Sequence, residues 1–226
     1  MMERWFVLSL GFFLGMGLLA LNTAEASISL PKPSFGGKVS VEKAIKGRRT
    51  VRDFKEKGLS LMHLSQLLWA GQGITDSLEK KRAAPSAGAL YPLDIYILIG
   101  ESSVEKIEAG IYRYLPNEHS LLPIATGDRR RDMALASLSQ MWMSRAPAML
   151  IITSEYQRIK GKYGERGIRY ALMEVGHVGQ NLFLQAEALG LGTGIVGAFD
   201  DSQVSKIASL PTQHEPLLII PVGYKK

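Results

Sequence analysis

One segment constrains the fold more than any other, namely residues 166–189, where apolar residues recur on nearly every side of a long helix. Such a helix cannot leave a broad face in water, so it must be buried in a core or in a dimer interface. Gly190 and Gly192 follow it, and glycine commonly ends a helix. The sequence therefore predicts a long central helix in a homodimer.

Shorter elements precede and follow this helix. Helices are predicted at residues 40–46, 60–71 and 128–143 and after Asp200 or Asp201, because serine or aspartate can cap each first turn. Strands are predicted at residues 93–100, 110–115, 120–124, 148–153, 194–199 and 217–222, with a polar loop at 72–84. The irregular alternation favours an α+β fold with a mixed or antiparallel sheet over a doubly wound parallel sheet.

The N-terminal residues differ from the rest of the chain. Residues 5–21 are almost wholly apolar, and Ala24-Glu25-Ala26 then supplies the small-x-small pattern of a signal peptidase site. We interpret residues 1–26 as a cleaved secretory signal peptide and residues 27–226 as one domain, which implies a periplasmic or secreted protein. The alternative is a membrane anchor formed by residues 5–21, since the run is long for a signal and short for a span.

Composition excludes several classes of site. The chain has no cysteine, which rules out disulfides, thiolate catalysis and cysteine metal sites. Its four histidines are scattered without a His-x-x-x-His pair, so no metal site is predicted. A formal charge of +6 would suit nucleic acid, anionic lipid or an anionic cofactor. An exported protein rarely meets nucleic acid, so the cofactor is favoured.

A basic segment contains Arg48, Arg49, Thr50 and Arg52. In an extended chain Arg48, Thr50 and Arg52 share one face, because successive side chains alternate. Two guanidinium groups around a hydroxyl suit a phosphate group, which needs several charge-assisted donors. The alternative interpretation is a solvated basic loop.

Two glycine-containing segments are also candidates for ligand binding. The first comprises Pro85, Ser86, Ala87, Gly88 and Ala89, small residues that would let the backbone approach a ligand closely; alternatively, they form a tight entry to a helix. The second, residues 192–197, reads GTGIVG and matches the dinucleotide pattern G-x-G-x-x-G. It follows a helix and leads into a strand, which is the wrong context, so a Rossmann site is rejected.

Taken together, these segments resemble the nitroreductase superfamily, and most closely its SagB-type branch, which includes azoline oxidases of peptide-modifying clusters. The resemblance spans residues 40–224. The motifs that carry it are RRTVRDF at 48–54, LSQLLWA at 64–70, PSAGALYP at 85–92, GIYRY at 110–114, KYGER at 162–166, GHVGQN at 176–181 and GAFD at 197–200.

The resemblance implies an FMN-binding α+β homodimer with flavin sites at the subunit interface. Arg48 and Thr50, with Arg49 beside them, would bind the FMN phosphate, and Arg52 would lie nearer the pyrimidine side of the ring. The loop from Pro85 to Ala89 would line the ribityl chain and the ring. The backbone at Val196, Gly197 and Ala198 would face flavin N5, where hydride arrives and leaves.

The sequence departs from the family pattern in two places. Simple nitroreductases have an asparagine where this chain has Ala89. Many also have basic phosphate ligands beyond the last strand, a position for which Lys225 or Lys226 is the candidate here.

The resemblance also implies catalytic roles for Lys162 and Tyr163. In azoline oxidases a Lys-Tyr pair at this position is proposed to remove a substrate proton as hydride leaves. The alternative is a solvated lysine beside a packed tyrosine, in a loop flanked by Gly161 and Gly164. We expect an exported FMN-dependent oxidoreductase acting on a small organic or peptide substrate. Its rivals are a non-catalytic FMN-binding scaffold and an enzyme that consumes its own flavin.

Overall fold

The computed structural model describes residues 27–226, so the predicted signal peptide lies outside the described residues. In this part of the chain, the helices are too short or too polar to cross a membrane.

A seven-stranded sheet forms the centre of the molecule. Its strands are β1 (Ile28–Ser29), β4 (Leu93–Ile99), β5 (Gly110–Leu115), β6 (Ser120–Thr126), β7 (Ala148–Ser154), β8 (Leu191–Thr193) and β9 (Glu215–Tyr224). They lie in the order β1-β6-β5-β4-β7-β9-β8, and each neighbouring pair is antiparallel. The sheet is therefore antiparallel, one of the two forms expected from the sequence. A separate hairpin pairs β2 (Ile74–Asp76) with β3 (Lys81–Arg82), within the segment predicted as a loop.

The two central strands, β4 and β7, are buried along their whole length. Ile97 pairs with Leu150 across them. Because side chains alternate along a strand, Ile95, Ile97 and Ile99 enter one hydrophobic core. Tyr96 and Leu98 enter a second core on the opposite face. Burial on both faces explains why these strands read as unbroken apolar runs.

Helices cover both faces of the sheet. They are α1 (Val41–Gly47), α2 (Leu61–Gln72), α3 (Arg130–Ala136), α4 (Gln157–Tyr163), α5 (Arg166–Ala188) and α6 (Asp201–Ile207). Helices α2 and α5 pack on the first core, and α3 and α6 pack on the second. Ser40, Ser60 and Asp200 cap α1, α2 and α6 by accepting backbone N–H groups, as predicted.

Besides the loop prediction at 72–84, where the β2–β3 hairpin lies, three sequence predictions of local structure were wrong. The helix expected over residues 128–143 ends at Ala136, because Leu138 and Ser139 have φ of 54° and 58°, and a short 3-10 turn follows at Met141–Arg145. The strand expected at 194–199 is replaced by β8, and only Val196 bridges to β9.

The third wrong prediction concerns the segment around Lys162. The two flanking glycines suggested a loop, but the segment is helix α4. Gly161 lies within α4, and Gly164 ends it with φ of +56°. Gly190 ends α5 in the same way, with φ of +71°, as predicted.

The GTG sequence at residues 192–194 has a packing role. A β-carbon on Gly192 would lie 2.8 Å from the Val51 side chain, and one on Gly194 would lie 2.6 Å from the Trp142 ring. The basic segment runs alongside, since Val51 N–H donates to the Thr193 carbonyl at 2.8 Å. Glycine is therefore required here because residues 48–54 and Trp142 pack directly against the backbone.

Candidate functional site

The loop from Pro85 to Tyr91 has an unusual backbone. Gly88, Ala89 and Tyr91 all have positive φ, at 63°, 54° and 47°. The Oγ atom of Ser86 accepts the Tyr91 N–H at 2.9 Å and so closes the loop. Left-handed non-glycine residues persist only when the surroundings enforce them, and such strain is common at ligand sites.

Glu174 fixes the middle of this loop. Its Oε1 atom accepts a hydrogen bond from Ala87 N–H at 2.9 Å, and the residue is only 4% exposed. Burial raises the pKa of the Glu174 carboxyl, and the hydrogen bonds from Ala87 and Ser86 partly oppose this rise. The buried Glu174 carboxyl therefore satisfies a backbone N–H group in the middle of the strained loop.

Lys162 and Tyr163 lie directly against the same loop. A β-carbon on Gly88 would stand 2.9 Å from the Tyr163 hydroxyl and 3.0 Å from Lys162 Nζ. Lys162 is exposed at the end of α4, and its Nζ lies 5.5 Å from the centre of the Tyr163 ring. The structure thus brings together two segments that lie more than 70 residues apart in the sequence, each a candidate on its own.

The basic segment lies beside the other end of α5. Arg48 follows α1, and its guanidinium lies 5.4 Å from the centre of the Phe183 ring. Thr50 bridges to Thr193, and Arg52 lies over Trp142 at 5.8 Å. Thr50 and Arg52 are exposed. Among the described residues, neither Arg48 nor Arg52 forms an ion pair with a carboxylate.

Arg49 behaves differently from its neighbours. Its Nη1 atom donates to the carbonyl oxygens of Lys46 and Arg48 at 2.9 and 2.8 Å. The guanidinium is therefore turned back toward the C-terminal end of α1, where it satisfies carbonyls that the helix leaves unpaired.

The third candidate segment lies between β8 and α6. Val196 is buried and bridges to Ile219, while Gly197 and Ala198 are exposed. Gln140 Nε2 donates to the Ala198 carbonyl at 3.3 Å. The backbone at Gly197 is therefore open to a ligand, while the residues on either side are held by the rest of the fold.

Both C-terminal lysines are paired with carboxylates. Lys225 Nζ lies 2.5 Å from Glu187 Oε2, and Lys226 Nζ lies 3.6 Å from Asp53 Oδ2. Each of the two ammonium groups that the sequence offered as an additional phosphate ligand therefore has a carboxylate partner within the chain.

The two halves of the candidate site are separated along α5. Glu174 holds the loop, and Phe183 contacts Arg48, nine residues further along the helix. At 1.5 Å per residue the separation along the helix axis is about 13.5 Å. A single chain therefore presents the loop with its Lys-Tyr pair and the arginine segment as two distinct surfaces.

Several residues of the site were missed by sequence reasoning. Glu174 had a detectable signal, because helical spacing puts this charged residue on the same buried face as Ala171 and Val178. The sequence contains no such signal for Trp142 and Gln140, because the residues they contact, Arg52 and Ala198, lie far away in the chain.

A buried charged cluster lies near the start of β4. Asp94, Glu155 and His214 offer atoms within 4.8 Å of one another, an arrangement that the scattered histidines did not predict. Arg113 and Arg158 both pair with Asp94, and Arg158 also pairs with Glu155. A cation would have to compete with two guanidinium groups for the same oxygens.

Burial lowers the pKa of His214, and it does so more than the neighbouring Asp94 carboxylate raises it. The neutral imidazole is therefore favoured within this cluster.

Comparison with known proteins identifies the fold and several relatives. A model of the nitroreductase family matches residues 45–224. The chain is 44% identical over 187 residues to MJ1384 of Methanocaldococcus jannaschii, which is named as a nitroreductase; the match covers 83% of this chain and 92% of MJ1384. It is 30% identical over 165 residues to the microcin B17-processing protein McbC of Escherichia coli, covering 72% of this chain and 61% of McbC.

Two solved structures are similar over almost the whole chain. One, from Ralstonia eutropha JMP134 and named as a nitroreductase, has a TM-score of 0.76 and 27% identity over 93% of this chain and 96% of its own. The other belongs to the E. coli microcin synthetase McbBCD complex with truncated pro-MccB17 bound. It has a TM-score of 0.68 and 28% identity over 96% of this chain and 85% of its own.

Proposed function

Because this chain belongs to the nitroreductase family, in its SagB-type branch, we propose that it is an FMN-dependent oxidoreductase acting on a small organic or peptide substrate. One observation carries this proposal. The strained loop held by Glu174 lies against Lys162 Nζ and the Tyr163 hydroxyl, so a ligand-binding loop and two proton-carrying groups share one surface.

The residues present fit FMN. In the described part of the chain, Arg48 and Arg52 have no carboxylate partner, and Thr50 is exposed. Arg48 and Thr50 would suit the phosphate group, and Arg52 would suit the pyrimidine side of the ring. Residues 85–89 and the exposed backbone of Gly197 and Ala198 would line the ring and ribityl chain. When bound, FMN would supply the two-electron hydride acceptor and donor.

Lys162 and Tyr163 would manage the proton that accompanies hydride transfer. An ammonium or amine and a phenol can hold, give or take a proton at Nζ and at the hydroxyl oxygen. Their contact with Gly88 positions both atoms at the loop that would carry the substrate side of the flavin. McbC, a relative, processes a peptide, which supports a peptide as one substrate class for this chain.

We propose that two copies complete the site. Leu172 and Met173 are 48% and 50% exposed on α5, on a face that also includes Gly176. Space around Gly176 is open, so another backbone can approach closely. If two α5 helices cross antiparallel about a two-fold axis, the Glu174 end of one lies beside the Phe183 end of the other. Each flavin would then lie between the loop of one subunit and the arginine segment of its partner.

Export remains part of the proposal. The small-x-small pattern at Ala24-Glu25-Ala26 supports cleavage of residues 1–26 and a periplasmic or secreted protein. N-terminal sequencing of the periplasmic fraction should begin at Ser27. An intact Met1 on protein in the membrane fraction would support an anchor formed by residues 5–21 instead.

The proposed function is tested by the colour and redox behaviour of the purified domain. We expect a visible flavin spectrum, release of FMN on denaturation, and bleaching by a suitable reductant under anaerobic conditions. Return of the colour on adding an organic or peptide acceptor would demonstrate turnover. Bound FMN that no substrate reoxidises or reduces would favour a scaffold, and loss of the flavin as product would favour a flavin-consuming enzyme.

A further inference from the structure

Asp94 is the centre of the buried charged cluster at the start of β4. It is 8% exposed, and two arginines approach it from different elements. Arg113 on β5 donates to Oδ1 at 3.0 Å, and Arg158 on α4 lies 2.8 Å from Oδ2. The side chains of the two arginines are equally exposed, at 28%. They are therefore similar in charge, burial and partner.

Arg158 differs from Arg113 in what else it contacts. Its Nη1 atom donates to the Tyr91 carbonyl at 3.3 Å, at the end of the strained loop. Its Nη2 atom also lies 2.6 Å from Glu155 Oε2, just before α4 begins. One planar guanidinium group thus contacts the loop, the buried strand and the entry to the helix at the same time.

The position of Arg158 within α4 connects these contacts to the proposed site. Arg158 lies in the first turn of the helix, and Lys162 lies one turn later, with Tyr163 adjacent. The helix has only seven residues, so it is not stable by itself and depends on contacts with the rest of the protein. Fixing its first turn therefore also fixes where Lys162 and Tyr163 stand.

We infer that Arg158 is a positioning residue that sets the distance between the Lys162-Tyr163 pair and the loop at residues 85–91. This inference rests on the proposed function, because it gives those two segments a shared task. Arg158 holds both of them to Asp94, a fixed point inside the sheet. Arg113 shares that fixed point but contacts neither the loop nor α4 through the bonds described, so it is a matched control.

The first test measures amide hydrogen exchange in flavin-free protein. Arg158→Gln removes the charge, and Arg158→Lys keeps it without the planar fork. Both variants should speed exchange in residues 85–91 and 157–163, by roughly 10- to 100-fold for the glutamine variant, as expected for a lost charge-assisted hydrogen bond. Arg113→Gln and Arg113→Lys should leave these two segments unchanged. Equal effects from both arginines, or none in either segment, would overturn the inference.

The second test uses the flavin-loaded enzyme. Misplacement of about 1 Å can cost roughly 100-fold in rate, so Arg158→Gln should lower kcat by about that factor with a much smaller change in KM. The lysine variant should recover part of it, and the Arg113 variants should keep kcat. If wild-type protein transfers no hydride, the proposed function fails. The exchange measurement still decides whether Arg158 holds the two segments together. An Arg158→Gln variant that keeps wild-type kcat would contradict the positioning role.

Discussion

The carboxylate of Glu174 accepts a hydrogen bond from Ala87 N–H at 2.9 Å, from within the buried face of α5. Burial raises the Glu174 pKa from its ordinary 4.5, so the folded state binds more protons than the unfolded state above that pH. Stability from this group therefore falls as pH rises through the raised pKa. We expect Glu174→Gln, whose amide oxygen can still accept the bond, to match or exceed the wild-type Tm at pH 7. This advantage should vanish near pH 4.

Two further variants make the Glu174 measurement specific. Glu174→Ala leaves Ala87 N–H without its partner and should cost about 1–3 kcal/mol of unfolding free energy. Glu118→Gln, at an exposed turn, should show no such pH dependence. If the glutamine variant is as unstable as the alanine variant at pH 7, the negative charge itself holds the loop.

Gly88 is the position where the loop meets the Lys-Tyr pair. Gly88→Ala places a left-handed alanine at φ of +63° and a methyl group 2.9 Å from the Tyr163 hydroxyl. The backbone strain alone should cost about 1–2 kcal/mol, measured by thermal unfolding. Gly161→Ala in α4 has open space around it and should instead stabilise by about 0.5–1 kcal/mol. A fully stable Gly88→Ala protein would show that the loop and α4 separate readily.

Arg48 is the first residue proposed to bind the FMN phosphate. A charge-assisted hydrogen bond contributes about 1.5–3 kcal/mol, so Arg48→Ala should weaken FMN binding by roughly 10- to 100-fold. Titration of flavin-free protein with FMN, followed by flavin fluorescence, gives the affinity. Arg49→Ala should have a smaller effect, because that guanidinium is bonded to the carbonyls of Lys46 and Arg48. Unchanged affinity in Arg48→Ala would remove Arg48 from the site.

Lys162 and Tyr163 are proposed to carry a proton during turnover. Lys162→Ala and Tyr163→Phe should keep bound FMN and lower turnover by about 100- to 10,000-fold, the usual range for general acid-base groups. Flavin content and turnover are measured separately on each variant. Lys160→Ala is the control, since Lys160 lies on the same helix and pairs with Glu165 at 2.5 Å. Full turnover in both test variants would make the pair structural.

The exposed face of α5 is proposed to be the dimer interface. A double change, Leu172→Glu with Met173→Glu, should bury unpaired charge in that interface and give monomers by sedimentation at micromolar concentration. The monomers should also lose FMN affinity, since each site would draw on both subunits. Leu78→Glu is the control, because Leu78 is 94% exposed on the β2–β3 hairpin. A wild-type protein that sediments as a stable monomer would contradict the proposal.

The sequence predicted correctly those elements that are determined by neighbouring residues, such as the starts of capped helices. Ser40 and Ser60 each accept an N–H three residues ahead, so their helices begin where the sequence says. The break at Leu138 and Ser139 was not predictable, because it follows from tertiary packing: beyond the turn, Met143 enters the same core as Met133 and Ala136 of α3. The side chains of Leu138 and Ser139 give no sign of a left-handed backbone.

The candidate site was predictable in its parts and not in its assembly. The loop, the Lys-Tyr pair and the arginine segment were each found from the sequence, by composition or by family resemblance. Glu174 fixes the loop, but it lies 87 residues from Ala87 in the sequence. Arginine is likewise a common surface residue, so the sequence alone does not distinguish Arg158. The fold does, because it places Asp94 2.8 Å from the Arg158 guanidinium. Such links depend on tertiary packing, which a single sequence does not display.

The spacing along α5 restricts which changes the helix can absorb. Glu174 and Phe183 stand nine residues apart, and each contacts a different segment of the proposed FMN site. Substitutions between them alter single contacts. Inserting or deleting one residue would shift one contact by about 1.5 Å and rotate it by about 100° around the axis relative to the other. The interval between Glu174 and Phe183 must therefore keep its length. We expect sequence variation within it to consist of substitutions and not of insertions or deletions.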